Sequence, residues 1–542
     1  MERRNMAKVL LMLAIGGTHI HAANIAIEPY LQDMTGDSVK IVWWTNTQTT
    51  QNVVHIVNPV RTTASATSRQ IDGVIFVRHV ATVAELTPST DYEYHVESDG
   101  VRSQPYRFRS AATRDEPFCF VYLGDGRNDD DQVMARHRAV YKAAMDLSPN
   151  LIIYGGDAVE YGAYNSHEKS WESFFRQVCT TTQGGLPAAS TIGHYFVVGN
   201  HEIYDPAHDK YASGGLAGTS MARFQAFCIN PDNGSSDPRW RSRYYAFTYG
   251  CATFIVLDLN NTSDDALDNH DKIPDGCSPD WEPGSEQYLW MIEQLETAQR
   301  TSAFTFIFTH PAPYSRGVHG TSDKAIDYQR GFELRSLDSV FRTYGVDAVF
   351  ASHDHTVEHC LTGPEGYWEK MDVNDPANLN YLVQGNSGHS ARDPHPQWKR
   401  WMQIPGAPPE TFYTVWFYDW NKSNSPETVR CSLHDVQISK TSARTWQAKF
   451  QVISIDNLHK QRHHDDAFTI HRTDPTFSSM TTEHRQHALA LEQEITPIPR
   501  DTSWPIAISI ALAIGTFIAL GTVGTRLWYR RRGRSTVHSG YM

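Results

Sequence analysis

Leu151-Ile-Ile-Tyr-Gly-Gly-Asp-Ala-Val-Glu-Tyr161 begins as a short apolar run and stops at two glycines followed by an aspartate. Such a run reads as a buried parallel strand. The glycines deliver Asp157 to the strand's carboxyl edge, where open α/β sheets bind their ligands. An aspartate in this position also caps helices, so Asp157 takes its meaning from its company. Four other apolar runs end in the same way: Leu123-Gly-Asp125-Gly-Arg127, Val198-Gly-Asn200-His-Glu202, Phe308-Thr-His310-Pro311 and Phe350-Ala-Ser-His353-Asp-His355. Capping alone does not account for five strand ends that carry Asp, Asn or His. Those side chains are metal-type ligands.

The chain has 542 residues, 40% hydrophobic and 11% aromatic, enough for a large core and more than one domain. Ahead of the ligand-bearing runs, Ser38–Thr45, His79–Leu86 and Asp91–Glu97 are rich in β-branched and aromatic residues and are spaced by Pro and Gly turns. This predicts a β-sandwich over 24–112. From Pro117 strands alternate with helical periods, the mark of βαβ units. Strands are expected at Phe118–Leu123, Leu151–Tyr154 and His194–Val198, helices at Gln132–Leu147 and Trp171–Val178, and a hairpin over Tyr244–Leu257. Ser285–Ala298 reads as an amphipathic helix that buries Tyr288, Leu289, Ile292, Leu295 and Ala298. Tyr381–Gln384 and Phe412–Tyr418 are expected to continue the second half of the sheet.

Residues 1–23 join a basic cluster (Arg3, Arg4, Lys8) to apolar Val9–Ile15 and small Ala22 and Ala23, the pattern of a secretory signal peptide. Residues 504–525 carry no charge and are long enough to cross a bilayer as one helix. Arg526, Arg530, Arg531, Arg532 and Arg534 follow, so the tail at 526–542 is expected in the cytoplasm. Residues 461–503, with Arg462-His-His-Asp-Asp466, read as a polar stalk. Together these predict a single-pass type I membrane protein, its ectodomain extracellular or lumenal. Sequons at Asn233, Asn260, Asn261 and Asn421 suit such a glycoprotein. Seven cysteines, all between 119 and 431, are expected to pair in an oxidising compartment, with one left over. A net charge of −13 argues against a nucleic-acid partner. The sequence leaves the oligomeric state open.

The motif order Gly-Asp, Gly-Gly-Asp, Gly-Asn-His-Glu, isolated His and His-x-His resembles that of the calcineurin-like metallophosphoesterases, in particular the purple acid phosphatase-like branch. The resemblance covers Asn24 to about Ser454. It implies a four-layer α/β/β/α metallophosphoesterase sandwich over 113–460, preceded by a fibronectin type III-like β-sandwich. Pro29-Tyr-Leu-Gln32 and the Leu86-x-Pro-x-Thr-x-Tyr-x-Tyr94 segment are similar to that leading domain. By motif position the resemblance makes Asp157 the bridge between two metal ions, with Asp125 and His355 on the first and Asn200, His310 and His353 on the second. Imidazole, carboxylate and amide oxygen together suit Fe with Zn, Mn or a second Fe better than Mg or Ca. Two ions about 3.5–4 Å apart can hold the attacking and phosphoryl oxygens for in-line displacement, and the implied nucleophile is the hydroxide they share. His201 matches a histidine that steadies the phosphoryl oxygens or protonates the leaving group. His319, in Pro313-Tyr-Ser-Arg-Gly-Val-His-Gly320, matches a loop that lines the substrate face.

The departures from the pattern bear on the first metal. Purple acid phosphatases carry Gly-Asp-x-x-Tyr, whose tyrosinate binds ferric iron; here Glu160 has that position and Tyr161 comes one residue late. The other branch has His where Arg127 stands. The missing ligand is sought in Glu160, Tyr161 or His137. The last is favoured because His137-Arg138 resembles a pair in bacterial-type relatives with a Gly-Asp-x-Arg start. Arg127 is placed either to clamp a phosphate through paired hydrogen bonds or to form a structural ion pair. Ser352 replaces the usual glycine before His353 and is small enough for the turn. Glu202 and His359 are explained by capping or packing. The function expected is a membrane-anchored, acid phosphatase-like hydrolase of phosphate monoesters acting on a small phosphorylated substrate. The alternatives are a phosphodiesterase or nucleotide hydrolase of the same fold, or a receptor or adhesion protein with a decayed site.

Overall fold

The computed structural model describes residues 23–475 except 129, 163–170, 181–184, 206–209, 212–216, 261–277, 324, 328–330, 390, 419–430, 443 and 456–461. The expected signal peptide, membrane span, tail and most of the stalk lie outside the described residues, as do Asn261, Cys277 and Asn421. Among the described residues no helix is long and apolar enough to cross a membrane.

The leading domain is a two-sheet sandwich. One sheet orders Ile25–Gln32, Val39–Thr45, Val77–Val83 and Thr67–Gln70; the other joins Thr62–Ser65, Asn52–Asn58, Asp91–Ser98 and Val101–Arg102, with Tyr106–Arg109 also on Asp91–Ser98. Alternation decides what faces inward: Tyr92, Tyr94 and Val96 are buried and pack with Ile41, Trp43, Val54 and Ile56. Val39–Thr45 is buried on both faces. Trp43 fills the sandwich core and donates to Ser98 Oγ at 2.9 Å, while Trp44 points the other way and stacks on Phe227 at 4.2 Å. Tyr30 stacks on Phe175 at 4.1 Å beside it. The sandwich is therefore a platform glued to the α/β unit that follows it by aromatic side chains.

Two sheets form the centre of that unit. In the first, Gly193–Phe196, Leu151–Tyr154 and Phe118–Leu123 run parallel, and Cys431–Lys440, Thr445–Ile455 and Arg462–Thr473 continue antiparallel. In the second, Ala252–Val256, Phe304–Phe308, Ala348–Ala351 and Leu379–Gln384 are parallel, flanked by Tyr245–Tyr249 on one side and by Val357–Thr362 and Thr414–Phe417 on the other. The sheets face each other across an aromatic layer that includes Phe120, Tyr122, Phe254, Phe306, Phe308 and Phe350. Burying each such side chain stabilises the fold by about 1.5–3 kcal/mol relative to exposing it. Asp131–Asp146, N-capped by Asp130 through Gln132 and Val133, and Trp171–Cys179 cover the first sheet. Glu286–Thr301, capped by Ser285, covers the second. The layers are thus α/β/β/α.

Several expectations need correction. The helix Glu286–Thr301 buries Tyr288, Met291, Leu295 and Ala298, whereas Leu289 is 55% exposed. The apolar face follows an i, i+3, i+7, i+10 stripe and leaves Leu289 off it. Residues 462–473 are an edge strand, not stalk: Ile470 is fully buried, Asp466 pairs with His359 at 3.0 Å and Arg472 with Asp347 at 2.5 Å. No two of the six described cysteines are joined by a disulfide, and five are buried; Cys179, Cys228 and Cys431 pack in one core cluster as small apolar side chains. Asn260 is buried with Nδ2 donating to Val198 O at 2.7 Å and Asp258 Oδ1 at 3.0 Å, which leaves no room for a glycan. Asn233 sits half-buried in a turn, Nδ2 donating to Trp240 O at 2.9 Å.

Candidate metal centre

The five ligand-bearing strand ends meet at one edge, where the two sheets are sewn together. Tyr122 Oη lies 2.9 Å from Ser352 Oγ, and Gly124 and Ser387 exchange hydrogen bonds of 3.1 and 2.9 Å. Asp125, Arg127, Asp157 and His353 all adopt left-handed backbone, with φ of 54°, 39°, 54° and 67°. Non-glycine residues rarely do so, and such strain gathers at functional sites. The paired glycines before Asp157 are needed for close approach: a Cβ on Gly156 would lie 2.9 Å from the Gly199 backbone and 2.6 Å from His310 Nδ1.

Backbone groups hold three of the ligand candidates, His310, Asp157 and Asp125, in place. His310 Nδ1 donates to Gly155 O at 2.8 Å, which fixes its tautomer and turns Nε2 toward Asn200 Oδ1 at 2.9 Å and Asp157 Oδ1 at 3.3 Å. The His201 amide donates to Asp157 Oδ1 at 2.9 Å and the His353 amide to Asp125 Oδ2 at 2.8 Å. His355 Nε2 is 3.5 Å from Asp125 Oδ1. Burial alone would raise Asp157, but His310, His201 and Arg127 outweigh it and hold this carboxylate well below its usual range. Burial would lower His310, and Asp157 lifts it instead to about 9. Burial raises Asp125 and lowers His353 and His355.

Asp125 Oδ1 and Asp157 Oδ2 are buried oxygens without a hydrogen-bond partner. Leaving such groups unpaired costs a few kcal/mol each. Carboxylate–imidazole separations of 3.3–3.5 Å suit two donors that are each about 2.1 Å from one shared ion. Asp157, His310 and His353 offer ligand atoms that all lie within 4.8 Å of one another. With Asn200 they make a complete donor set for Fe, Zn or Mn. The set for a first ion is incomplete. Asp125, Asp157 and His355 contribute, but Arg127 brings its guanidinium to 3.5 Å from Asp157 Oδ2, 3.4 Å from His355 Nε2 and 3.3 Å from Glu160 Oε2. Glu160 is thus engaged as Arg127's ion-pair partner, and Tyr161 is half-buried beside it. His137 is not a ligand: its Nε2 lies 3.0 Å from the Tyr154 hydroxyl within an aromatic pocket, where burial pushes it down to about 3.

His201 Nδ1 donates to Glu160 O at 2.8 Å, and its Nε2 is 3.9 Å from Asp157 Oδ2. His319 packs its ring 3.9 Å from that of His353, with Nδ1 2.7 Å from Asp327 Oδ2 and Nε2 3.0 Å from Arg392 Nη1. Glu202 caps backbone N–H groups, within the capping or packing expected of it, and two residues, His389 and Arg392, escaped the sequence reading. Glu202 accepts three backbone N–H groups, from Asp157 and Gly199 at 2.7 Å and Ala158 at 3.0 Å, and so ties two ligand loops together. His389 lays its ring 4.2 Å from His355 and donates its amide to Asp125 O. Arg392 donates its amide to His355 O at 2.7 Å. His389 ends Gly385-Asn-Ser-Gly-His389 after the strand Leu379–Gln384, another apolar run that ends in glycine and a ligand type, and Arg392 comes three residues later. That signal was readable.

Residues 130–357 match the calcineurin-like phosphoesterases and residues 26–110 the purple acid phosphatase N-terminal domain. The chain carries a calcineurin-like phosphoesterase domain behind a purple acid phosphatase N-terminal domain, and its homologues include purple acid phosphatases. An uncharacterized protein of Mycobacterium tuberculosis is 25% identical over 65% of this chain and 64% of its own length. Probable purple acid phosphatase 20 of Arabidopsis thaliana is 23% identical over 67% of this chain and 75% of its own. The purple acid phosphatase of yellow lupin seeds shares the fold, with a TM-score of 0.61 at 15% identity over 84% of this chain and 76% of that one. Two further Arabidopsis relatives are named Fe(3+)-Zn(2+) purple acid phosphatase 12 (22% identical, covering 58% of this chain and 59% of its own length) and probable inactive purple acid phosphatase 24 (23%, covering 52% and 43%).

Proposed function

We propose that the protein is a metal-dependent phosphatase that hydrolyses phosphate monoesters of small molecules, anchored by residues 504–525 with its catalytic unit extracellular or lumenal. The observation that carries this reading is the meeting of buried Asp125 and Asp157 oxygens, which accept no hydrogen bond, with His310, His353 and His355 at one sheet edge. Metal bound there supplies Lewis-acid polarisation of the phosphoryl group and acidifies water. The residues of the chain do the rest. Asn200, His310 and His353 hold the cation side of Asp157. His201, its tautomer set by Glu160 O, presents Nε2 toward the phosphoryl oxygens. Asp327 fixes the ring of His319 on the leaving-group side. Arg127 brings its guanidinium to His355 and Arg392 its own to His319, and two guanidiniums favour a monoester dianion over a diester monoanion.

The name of one relative as a Fe(3+)-Zn(2+) enzyme supports Fe or Zn as the metal. The non-catalytic alternative has two observations in its favour: Arg127 in the first-metal ground and a relative named inactive. Turnover of p-nitrophenyl phosphate, bis-p-nitrophenyl phosphate and nucleotides by the purified protein, with Asp157→Asn as control, separates the readings. Monoester hydrolysis that Asp157→Asn abolishes supports the proposal. Faster turnover of the diester or nucleotides moves it to that class. Protein that retains no metal and hydrolyses none of these refutes it. Release from membranes by alkaline carbonate would refute the anchor.

A further inference from the structure

Arg127 stands on ground that a first metal ion would need. It follows Asp125 by two residues, its side chain is 12% exposed, and its contacts are with Asp157 Oδ2, His355 Nε2 and Glu160 Oε2. The first two are the atoms through which a first ion would be held together with Asp125 Oδ1. An ion about 2.1 Å from either atom would lie within about 5.5 Å of Arg127 Nη2, the sum of that bond and the observed 3.4 Å. A guanidinium keeps its charge at every pH the protein tolerates. At that distance the guanidinium charge weakens a divalent ion about tenfold with the screening of bulk water, and Glu160, 3.3 Å from Nη1, offsets part of the larger repulsion of a drier site.

The position of the family's tyrosinate is Glu160, which is paired with Arg127 and not turned to a metal, so Asp125, Asp157 and His355 are left there with the His389 ring 4.2 Å from that of His355. The residues that would hold the other ion lie on the opposite side of Asp157: His310 Nε2 is 3.3 Å from Asp157 Oδ1 and 2.9 Å from Asn200 Oδ1, whereas Arg127 contacts Oδ2.

We propose that this is a one-metal centre, in which a single Fe, Zn or Mn ion is bound by Asp157, Asn200, His310 and His353, and Arg127 is the permanent second cation. The inference rests on the phosphatase reading for its purpose, since charge developing on the phosphoryl oxygens needs positive groups on both sides. Its test does not depend on turnover. The full chain is stripped of metal, dialysed against a small excess of Zn²⁺, and its bound metal is counted by mass spectrometry and titration calorimetry. One ion per chain is expected for the wild type and for Arg127→Lys. Two are expected for Arg127→Ala, the added ion binding at least about tenfold tighter than any weak second event in the wild type. Two ions in the wild type overturn the inference, as does a single ion in both wild type and Arg127→Ala, or none in the wild type. If Arg127→Ala does not fold, the wild-type count together with Arg127→Lys decides. One ion without hydrolysis supports the inference and overturns only the phosphatase reading; two ions with hydrolysis do the reverse.

Discussion

Glu202→Gln separates the role of this buried carboxylate from its cost. Three N–H groups, of Asp157, Ala158 and Gly199, converge on its two oxygens and hold the loop after Leu151–Tyr154 against the Gly199-Asn-His-Glu202 loop. A glutamine has one acceptor oxygen. If it serves Asp157 and Gly199, the Ala158 N–H faces an amide NH₂, so one charge-assisted bond is lost, one buried donor is orphaned and the remaining bonds weaken. That sum is about 2–4 kcal/mol. Against it stands the charge itself: burial and the neighbouring Asp157 raise Glu202 to about 7 from an ordinary 4.5, a penalty of about 3 kcal/mol on the ionised form. In metal-free protein the two effects nearly cancel. In metal-loaded protein the cation neutralises Asp157, so the part of that penalty that Asp157 causes falls away while the larger part, from burial, remains. Glu202→Gln is therefore expected to cost at least about 1 kcal/mol more with metal than after chelation, measured by urea denaturation at pH 7.5. Equal costs in the two states, or no cost in the loaded protein, would refute the reasoning.

Glu358 is buried and raised to about 7, chiefly by burial, although it accepts from Ser315, Thr356 and the Arg316 amide. The folded state keeps this proton between about pH 4.5 and 7 where the unfolded chain loses it, so stability falls with rising pH across that window by about 3 kcal/mol. Glu358→Gln should be more stable than the wild type at pH 8 and equal at pH 4 by calorimetry; greater stabilisation at pH 4 would sink the assignment. A methyl group on Gly199 would meet Asp157 Oδ1 at 2.3 Å and Glu202 Oε2 at 2.6 Å, so Gly199→Ala should lower metal affinity at least about tenfold, equivalent to about 1.4 kcal/mol; unchanged metal retention speaks against the packed cradle. Trp44→Ala removes the stack on Phe227 and the bond to the Tyr30 hydroxyl and should cost about 3–5 kcal/mol, read as a lower denaturation midpoint; a loss below about 1 kcal/mol would show that the platform does not brace the catalytic unit.

The fold was legible wherever an apolar run ended abruptly. Leu151–Tyr154 stands where the sequence placed it, and the predicted helix Gln132–Leu147 is Asp131–Asp146. The reason is local: glycine and a polar ligand type at the carboxyl end of a buried strand leave few other readings. Arg462–Thr473 failed the same test because it lies at the sheet edge and its partners Asp347 and His359 sit more than a hundred residues away. Leu289 was misplaced because any apolar residue near the right angle looks like core until a neighbour is there to cover it.

His137 shows the limit on the site itself. Its spacing from Asp125 allows it to reach the centre, and a Cβ on Gly126 would touch its ring at 2.3 Å. What decides its role is Tyr154, whose hydroxyl takes His137 Nε2 on one side and the Gly126 amide on the other. A histidine one hydroxyl away from the ligands is then a support for the Asp125 loop and not a donor to metal. Sequence spacing gives reach but not the direction of a ring nitrogen, and that direction is set by a bond between residues 17 positions apart. The same holds for Arg127. Two residues from a ligand, it could have faced solvent, substrate or metal ground, and only the meeting of Asp157, Glu160 and His355 around its guanidinium shows which. The residues that name the chemistry are thus written at strand ends, while those that set the number of cations are fixed by contacts between loops from both sheets.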